Sequence, residues 1–459
     1  MTSIDAHRAR AISPLDGRYG ARLAPLSEYF SEHALMRARL TVEVEHALAL
    51  DDTGLFGTLD AEERERLRAA AELDDAGYGE LKSIESELRH DVKACEVYLR
   101  RRGALRRPNR VHFGLTSEDV NNLAYGVLFD GFLGDVQLPL VRRLGTALTV
   151  LVREHAATPF PANTHGQPAS PTTAGKELAV FLGRLVRAHD ALARQRLFGK
   201  LNGATGNRSA LRAACPTYDW ASYERRVVER LGLVPNPATT QIEDHDSLAR
   251  WLNEVRVTNN VVLDLCQDAW QYVSRGWLAQ RAQPGEVGSS TMPHKVNPIH
   301  FENAEGNLLL SNSALAFLAD KLCRSRMQRD LSDSTVLRNV GVALAHHVLA
   351  LEEVLVGLGR VAVDPAACLA AIAAVPELLA EPIQTILRLH TDGDPYQTLK
   401  DLTRGRALTR AALEAFVATL DVGAHVKEQL LGLEVTAYLG DAEATARAIA
   451  DLADEALGQ

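Results

Sequence analysis

The spacing of apolar residues constrains this chain more than any other feature. From Glu80 to Arg102, the residues Leu81, Ile84, Leu88, Val92, Cys95 and Leu99 recur at intervals of three and four. That is the stripe of an amphipathic helix, and Gly103 supplies its stop. The same period returns in longer tracts. One begins at Thr116 or Ser117, with Glu118 and Asp119 in its first turn, is expected to bend near Pro139 and runs to about Ala156. Others are expected from Ser170-Pro171 to Phe198, from Asp246 to Gln280 and from Pro298 to about Lys321. Asp60 with Glu63 makes a capping box for a shorter helix. No segment sustains the period-two alternation of Val, Ile and Tyr that a half-buried strand needs, and aromatic residues are only 5%. The expected fold class is therefore all-α. Its plan is a helical domain over 1–115, a central bundle of long helices over 116–360 with a distinctive loop at 283–297, and a short-helix domain over 361–459.

With 59 acidic against 50 basic side chains, the net charge is −9. A field of that sign repels polyanions, which argues against nucleic-acid binding and means that any anionic ligand is held by local cations. The five cysteines, 95, 215, 266, 323 and 368, form no CxxC pair and read as free thiols of a reducing compartment. No leader opens the sequence, and no unbroken run of about 18 apolar residues appears, so the expectation is a cytoplasmic protein that does not enter the membrane. Leu308, Leu309, Leu310, Leu315, Phe317 and Leu318 cover more of one helix than a single seam requires, as expected where several subunits share a bundle.

The stretch "GEVGSSTMPHKVNPIHFEN" brings chemistry into view. Asn297 is a good N-cap and Pro298 a favoured first helical residue, so the free N–H groups of that helix point back toward Lys295 and the serine loop. Such a cationic pocket makes a serine easier to deprotonate, and Gly285 and Gly288 let the loop open and close. Three histidines stand in unusual company. His90 lies on the far side of its helix from the apolar stripe, His112 precedes a glycine and a helix start, and His165 sits in a proline- and glycine-bounded loop. None has the helical pair spacing of metal ligands, which favours proton transfer. In "SRMQRDLSDSTVLRN", Arg326, Arg329 and Arg338 bracket Ser332 and Ser334. This is either a phosphate seat or a solvated turn whose arginines pair with Asp330 and Asp333.

"GSSTMPHKVNP" resembles the signature of the fumarase/aspartase superfamily. Its His294-Lys295 pair, together with "SPLDGRYG", "RHDVKA", "HFGLTSEDVNN", "THGQPASPTTAGKE", "PNPATTQIEDHD", "FENAEGNL" and "LAEPIQTILR" in this order, is similar to the longer bacterial adenylosuccinate lyase family. The resemblance implies a homotetramer with a twenty-helix core and active sites shared by three subunits. It implies release of fumarate from adenylosuccinate, leaving AMP, and from the succinylated ribotide SAICAR, leaving AICAR, with no metal or other cofactor. It implies Ser289 as general base, His165 as general acid, Glu302 orienting His165, and Lys295 and Asn297 on the succinyl carboxylates with Thr116, Ser117 and Ser290. His90, Asp91, His112, Gln241 and Asn303 would contact substrate, and Arg18, Tyr19, Arg329, Ser334 and Arg338 would hold the phosphate and ribose. Arg208-Ser209 departs from the family pattern and receives no role. An argininosuccinate lyase, which needs no phosphate seat, and a non-catalytic helical scaffold are the alternatives.

Overall fold

The computed structural model describes residues 8–281, 291–292, 295–403 and 409–458. The chain is built from helices, as its periodicity predicts, and the long ones are Ser117–Phe132, Leu138–Glu154, Ala174–Ala193, Asp246–Ser274, Ile299–Leu322 and Val340–Gly359. Among the described residues, extended structure is confined to three two-stranded sheets. Contacts divide the chain into two compact units of interleaved segments: Met1–Val141, Ala188–Asn260 and Gly306–Leu351 form the first, and Arg142–Arg187, Val261–Glu305 and Glu352–Gln459 the second.

In the first unit, the helix Glu32–Ala49 is buried along most of its length and shares one apolar core with Ala61–Ala71, Asp75–Leu88 and Asp91–Gly103, where Met36, Leu40, Leu67, Leu81, Cys95 and Leu99 interlock. The Asp60–Glu63 capping box is present. The single helix expected from Glu80 to Arg102 is instead two. Arg89 takes the left-handed conformation, φ 53°, and His90 is extended, its Nδ1 accepting the Lys93 N–H at 3.3 Å. His90 is thus a cap at a break, a role invisible to a periodicity that continues in phase across it. Where a bend is expected near Pro139, the helix passes through a π-helical turn over Leu133–Gln137, two residues before the proline that cannot donate its backbone hydrogen bond.

A second correction concerns Ser170-Pro171, which opens no helix. Both lie in the strand Gln167–Thr173, which pairs antiparallel with Pro159–Thr164. The helix begins at Ala174, with Thr173 Oγ1 accepting the Lys176 N–H at 3.1 Å. Both strands and this helix belong to the second unit. The helix expected to reach Gln280 ends at Ser274; Gly276 turns at φ 75°, and Leu278–Gln280 pairs with Val361–Val363. The C-terminal helices close on a separate core of Ile383, Leu387, Leu413, Val417 and Leu430. The stretch Ser332–Gly359 has the length and average composition of a membrane-crossing helix, but 67% of its most apolar window is buried inside the protein, as befits a core helix.

Candidate active site

In the first unit the helix Ser117–Phe132 organises the polar residues. Thr116 rather than Ser117 is its N-cap, and Asp119 returns a hydrogen bond to the Thr116 N–H at 2.9 Å. Asp119 is fully buried, as is its partner Lys200, 2.7 Å away. The same carboxylate accepts the N–H groups of Asn202 and Gly203, while Lys200 Nζ donates to the carbonyls of Gly203 and Gln241. Two opposite charges with every lone pair and proton occupied are tolerable in a core where either alone would not be. Their effect is to tie the glycine-rich loop and the half-buried Gln241 to the Thr116 helix start. Arg208, at φ 55°, pairs with the buried Glu224, so its departure from the family pattern has a structural partner inside the same loop.

The arginine cluster is neither of the two simple alternatives. Arg326 pairs with Asp330, and Arg329 lies 3.8 Å from Asp333, as expected of a solvated turn. Arg329, however, is mostly buried and also reaches 3.0 Å to Glu118, and burial pushes that carboxyl up to about 7 against the pull of the arginine. Arg338 remains 43% exposed, donates to the carbonyl and hydroxyl of Ser334 at 2.8 Å and stands 3.8 Å from Asp91. Asp91 in turn is held by the buried Arg39 at 2.8 Å. Partial burial pushes its carboxyl up, but Arg39 and the Val92 amide outweigh this and leave it lowered. The unit therefore brings Asp91, Ser334 and Arg338 together. Arg329 with Glu118, and His90 beside Asp91, lie on the flanking turns. Arg18, exposed, lies over the ring of Tyr19 at 5.8 Å on the N-terminal segment. A cavity of about 700 Å³ is lined by Asp16, Gly20, Ser27, Ser31, Arg338 and Gly341 among others, so that segment and the arginine border one space.

His112 is held in the left-handed conformation, φ 62°, by Glu43, whose two oxygens meet its main-chain N–H at 3.0 Å and its Nδ1 at 2.5 Å. Burial works against a charge on this ring, but the Glu43 carboxylate outweighs it and raises the pKa.

In the second unit His165 sits at the exposed turn of the β-hairpin, φ 52°, followed by Gly166 at φ 75°. Lys295 is exposed just ahead of the helix Ile299–Leu322. That helix starts one residue later than the sequence implies, with the Pro298 carbonyl accepting the Glu302 N–H at 3.3 Å; Asn297 and Asn303 are half-buried beside it. Glu302 is exposed and accepts from Trp270 Nε1 at 3.0 Å, and among the described residues it makes no hydrogen bond with His165. Ser289 and Ser290 lie outside the described residues, as does His294.

Sequence reasoning missed Arg39, Glu43, Glu118, Asp119 and Lys200. A signal existed for the first two: in "ALMRARLTVEVEHALAL" an arginine and a glutamate stand four apart inside an otherwise buried helix. Charges kept at core positions have partners to meet.

A lyase family model matches residues 17–310, and a model described as the adenylosuccinate lyase C-terminal region matches residues 325–439. The solved structures of a 3-carboxy-cis,cis-muconate lactonizing enzyme from Pseudomonas putida (TM-score 0.76, 23% identity, 94% of this chain and 97% of that one) and of a fumarate lyase from Mesorhizobium sp. BNC1 (TM-score 0.75, 19% identity, 95% and 97%) share the fold. Fold and motifs together define a lyase of the fumarase/aspartase superfamily. Adenylosuccinate lyases of Legionella pneumophila (strain Corby) and Escherichia coli (strain K12) are 42% and 39% identical to it, each over 94% of this chain and over 96% and 97% of their own lengths. The chain belongs to the adenylosuccinate lyase family.

Proposed function

We propose that this C–N lyase splits adenylosuccinate into AMP and fumarate, and SAICAR into AICAR and fumarate, by β-elimination. Breaking the C–N bond requires removal of a proton from the carbon beside a carboxylate, and the dianion that results needs cationic and N–H donors aimed at it. Ser289 takes that proton. Lys295 and Asn297, at the start of the helix Ile299–Leu322, stabilise the carboxylate with Ser290, Thr116 and Ser117. His165 delivers a proton to the departing nitrogen, so that the leaving group departs neutral. The exposed hairpin position of His165 suits a residue offered to another subunit, and we assign its orienting carboxylate to Glu302 of a second copy.

His90, Asp91, His112, Gln241 and Asn303 contact substrate in this reading. Arg18, Tyr19, Arg329, Ser334 and Arg338 hold its phosphate and ribose. The observation that carries it is the pairing of near full-length family identity with an arginine, Arg338, left 43% exposed beside Ser334 and a large cavity. An argininosuccinate substrate has no phosphate for such a seat. A homotetramer is supported by Leu309, Leu310 and Phe317, each more than half exposed on a long helix whose other face holds the buried Leu308, Leu315 and Leu318. A cytoplasmic location is supported by the five free thiols. Purified protein mixed with adenylosuccinate should release AMP and fumarate in equal amounts. Turnover of argininosuccinate instead, or of neither compound, would refute the assignment.

A further inference from the structure

We infer that Glu43 is a positioning residue that holds His112 as an imidazolium and thereby presents its Nε2–H to an anionic group of the substrate. The inference rests on the proposed contact between His112 and substrate, and it begins from geometry. Glu43 is fully buried in the helix Glu32–Ala49, and both of its carboxylate oxygens are used by His112. One fixes the main chain in a left-handed conformation that a non-glycine residue rarely adopts. The other takes Nδ1, which therefore carries a proton in either charge state of the ring.

That arrangement leaves Nε2 to decide the chemistry. A neutral ring with its proton on Nδ1 would turn a lone pair toward an approaching anion and repel it. The doubly protonated ring turns an N–H with positive charge toward the same anion. His112 is four residues ahead of the Thr116 cap, its side chain is 20% exposed, and no described residue hydrogen-bonds to Nε2.

The carboxylates on the neighbouring helices favour the positive form, and the nearby cation is paired elsewhere. Glu96 and Asp119, on the helices Asp91–Gly103 and Ser117–Phe132, act on the ring in the same direction as Glu43. Each already has cationic partners of its own: Lys93 and Arg100 for Glu96, Lys200 for Asp119. Arg110, on the segment leading to His112, is taken by Asp51. His46, also on the Glu43 helix, is fully buried, and with its Nε2 3.0 Å from the Phe113 carbonyl it stays neutral beside His112. Among the described residues the one ion-pair partner of Glu43 is His112. A buried carboxylate whose one partner is a histidine is compensated only while that histidine is charged.

NMR titration of His112 in the substrate-free parent protein should give a midpoint above the ordinary value of about 6.5. A midpoint at or below that value overturns the inference with no variant needed. In Glu43→Gln the amide oxygen still accepts the His112 N–H while its NH2 faces Nδ1, so the midpoint should fall. The alkaline limb of kcat/KM for adenylosuccinate should then move to lower pH. KM at pH 8 should rise on the order of tenfold with kcat little changed, and Glu43→Asp should recover part of the loss. A uniform loss at every pH, with the limb unmoved, makes Glu43 merely structural and overturns the inference. Repeating the kinetics with an analogue lacking the phosphate separates the two anionic sources: a loss that vanishes assigns the contact to phosphate, and one that persists assigns it to a carboxylate. The NMR result stands whether or not the protein cleaves adenylosuccinate, so failure of the substrate assignment is distinguishable from failure of the clamp.

Discussion

His46 and His112 are neighbours with opposite electrostatic fates, and the difference lies in what each ring faces. His46 is fully buried between the Phe113 carbonyl and the Tyr223 hydroxyl, with no carboxylate bonded to it among the described residues, and burial lowers its pKa to about 3; His347, buried against Asn259, falls to about 4 for the same reason. Both take up protons on unfolding between those values and about 6.5. Stability is therefore lost as pH falls through that window, by up to about 1.4 kcal/mol per pH unit for each ring. Urea unfolding at pH 7 and pH 5.5 should show this loss, and His46→Asn should flatten the dependence while lowering stability at pH 7. His112 runs the other way: its folded pKa is raised, so its contribution is complete below about 6.5 and is lost as pH rises through the folded value. Lys200 tests the cost of an unpaired charge. Lys200→Met leaves Asp119 buried without its cation and should cost about 3–5 kcal/mol, read from the shift in denaturation midpoint at constant slope.

The glycine-rich loop depends on shape at the scale of an element. Gly206 has φ 81°, and a Cβ there would run into the backbone carbonyls of Thr239 and Thr240, just ahead of Gln241. Gly54 has a similar φ, 69°, but open space around its missing Cβ. Gly54→Ala should therefore cost only the conformational strain, about 1 kcal/mol, whereas Gly206→Ala should cost clearly more and also raise KM. Equal effects of the two substitutions on stability and KM would mean that the close approach at Gly206 does not hold the loop in place. The break at Arg89 belongs to the same scale. A capped interruption divides one long helix into two that pack on each other, and it places Asp91 at a helix start where Arg39 and Arg338 reach it.

For the whole molecule the question is how sites are completed. His165 and Lys295 belong to the second unit and His112, Arg329 and Arg338 to the first. If several chains contribute to one site, His165→Ala and Lys295→Ala proteins, each inactive, should regain part of the activity when unfolded together and reassembled, because some composite sites then contain neither substitution. An active species of monomer mass in a sizing experiment would rule out shared sites. Substituting the exposed Leu310 and Phe317 by polar residues should shift that sizing profile toward smaller species.

Helix content and family were legible in the sequence because each depends on local pattern: period, caps and the order of short motifs along the chain. The boundaries at Thr116 and near Pro298 were readable to within a residue for the same reason. The Ser170-Pro171 strand was not, because a hairpin is decided by pairing with residues 159–164 rather than by its own periodicity. Nor was the break at Arg89, since apolar residues on both sides stay in phase across it. What only the tertiary structure decided was charge. Whether Glu43 holds a histidine, whether Asp119 meets Lys200, and whether Arg329 faces Glu118 or solvent depend on groups tens of residues apart meeting in a medium too apolar to leave any of them unpaired.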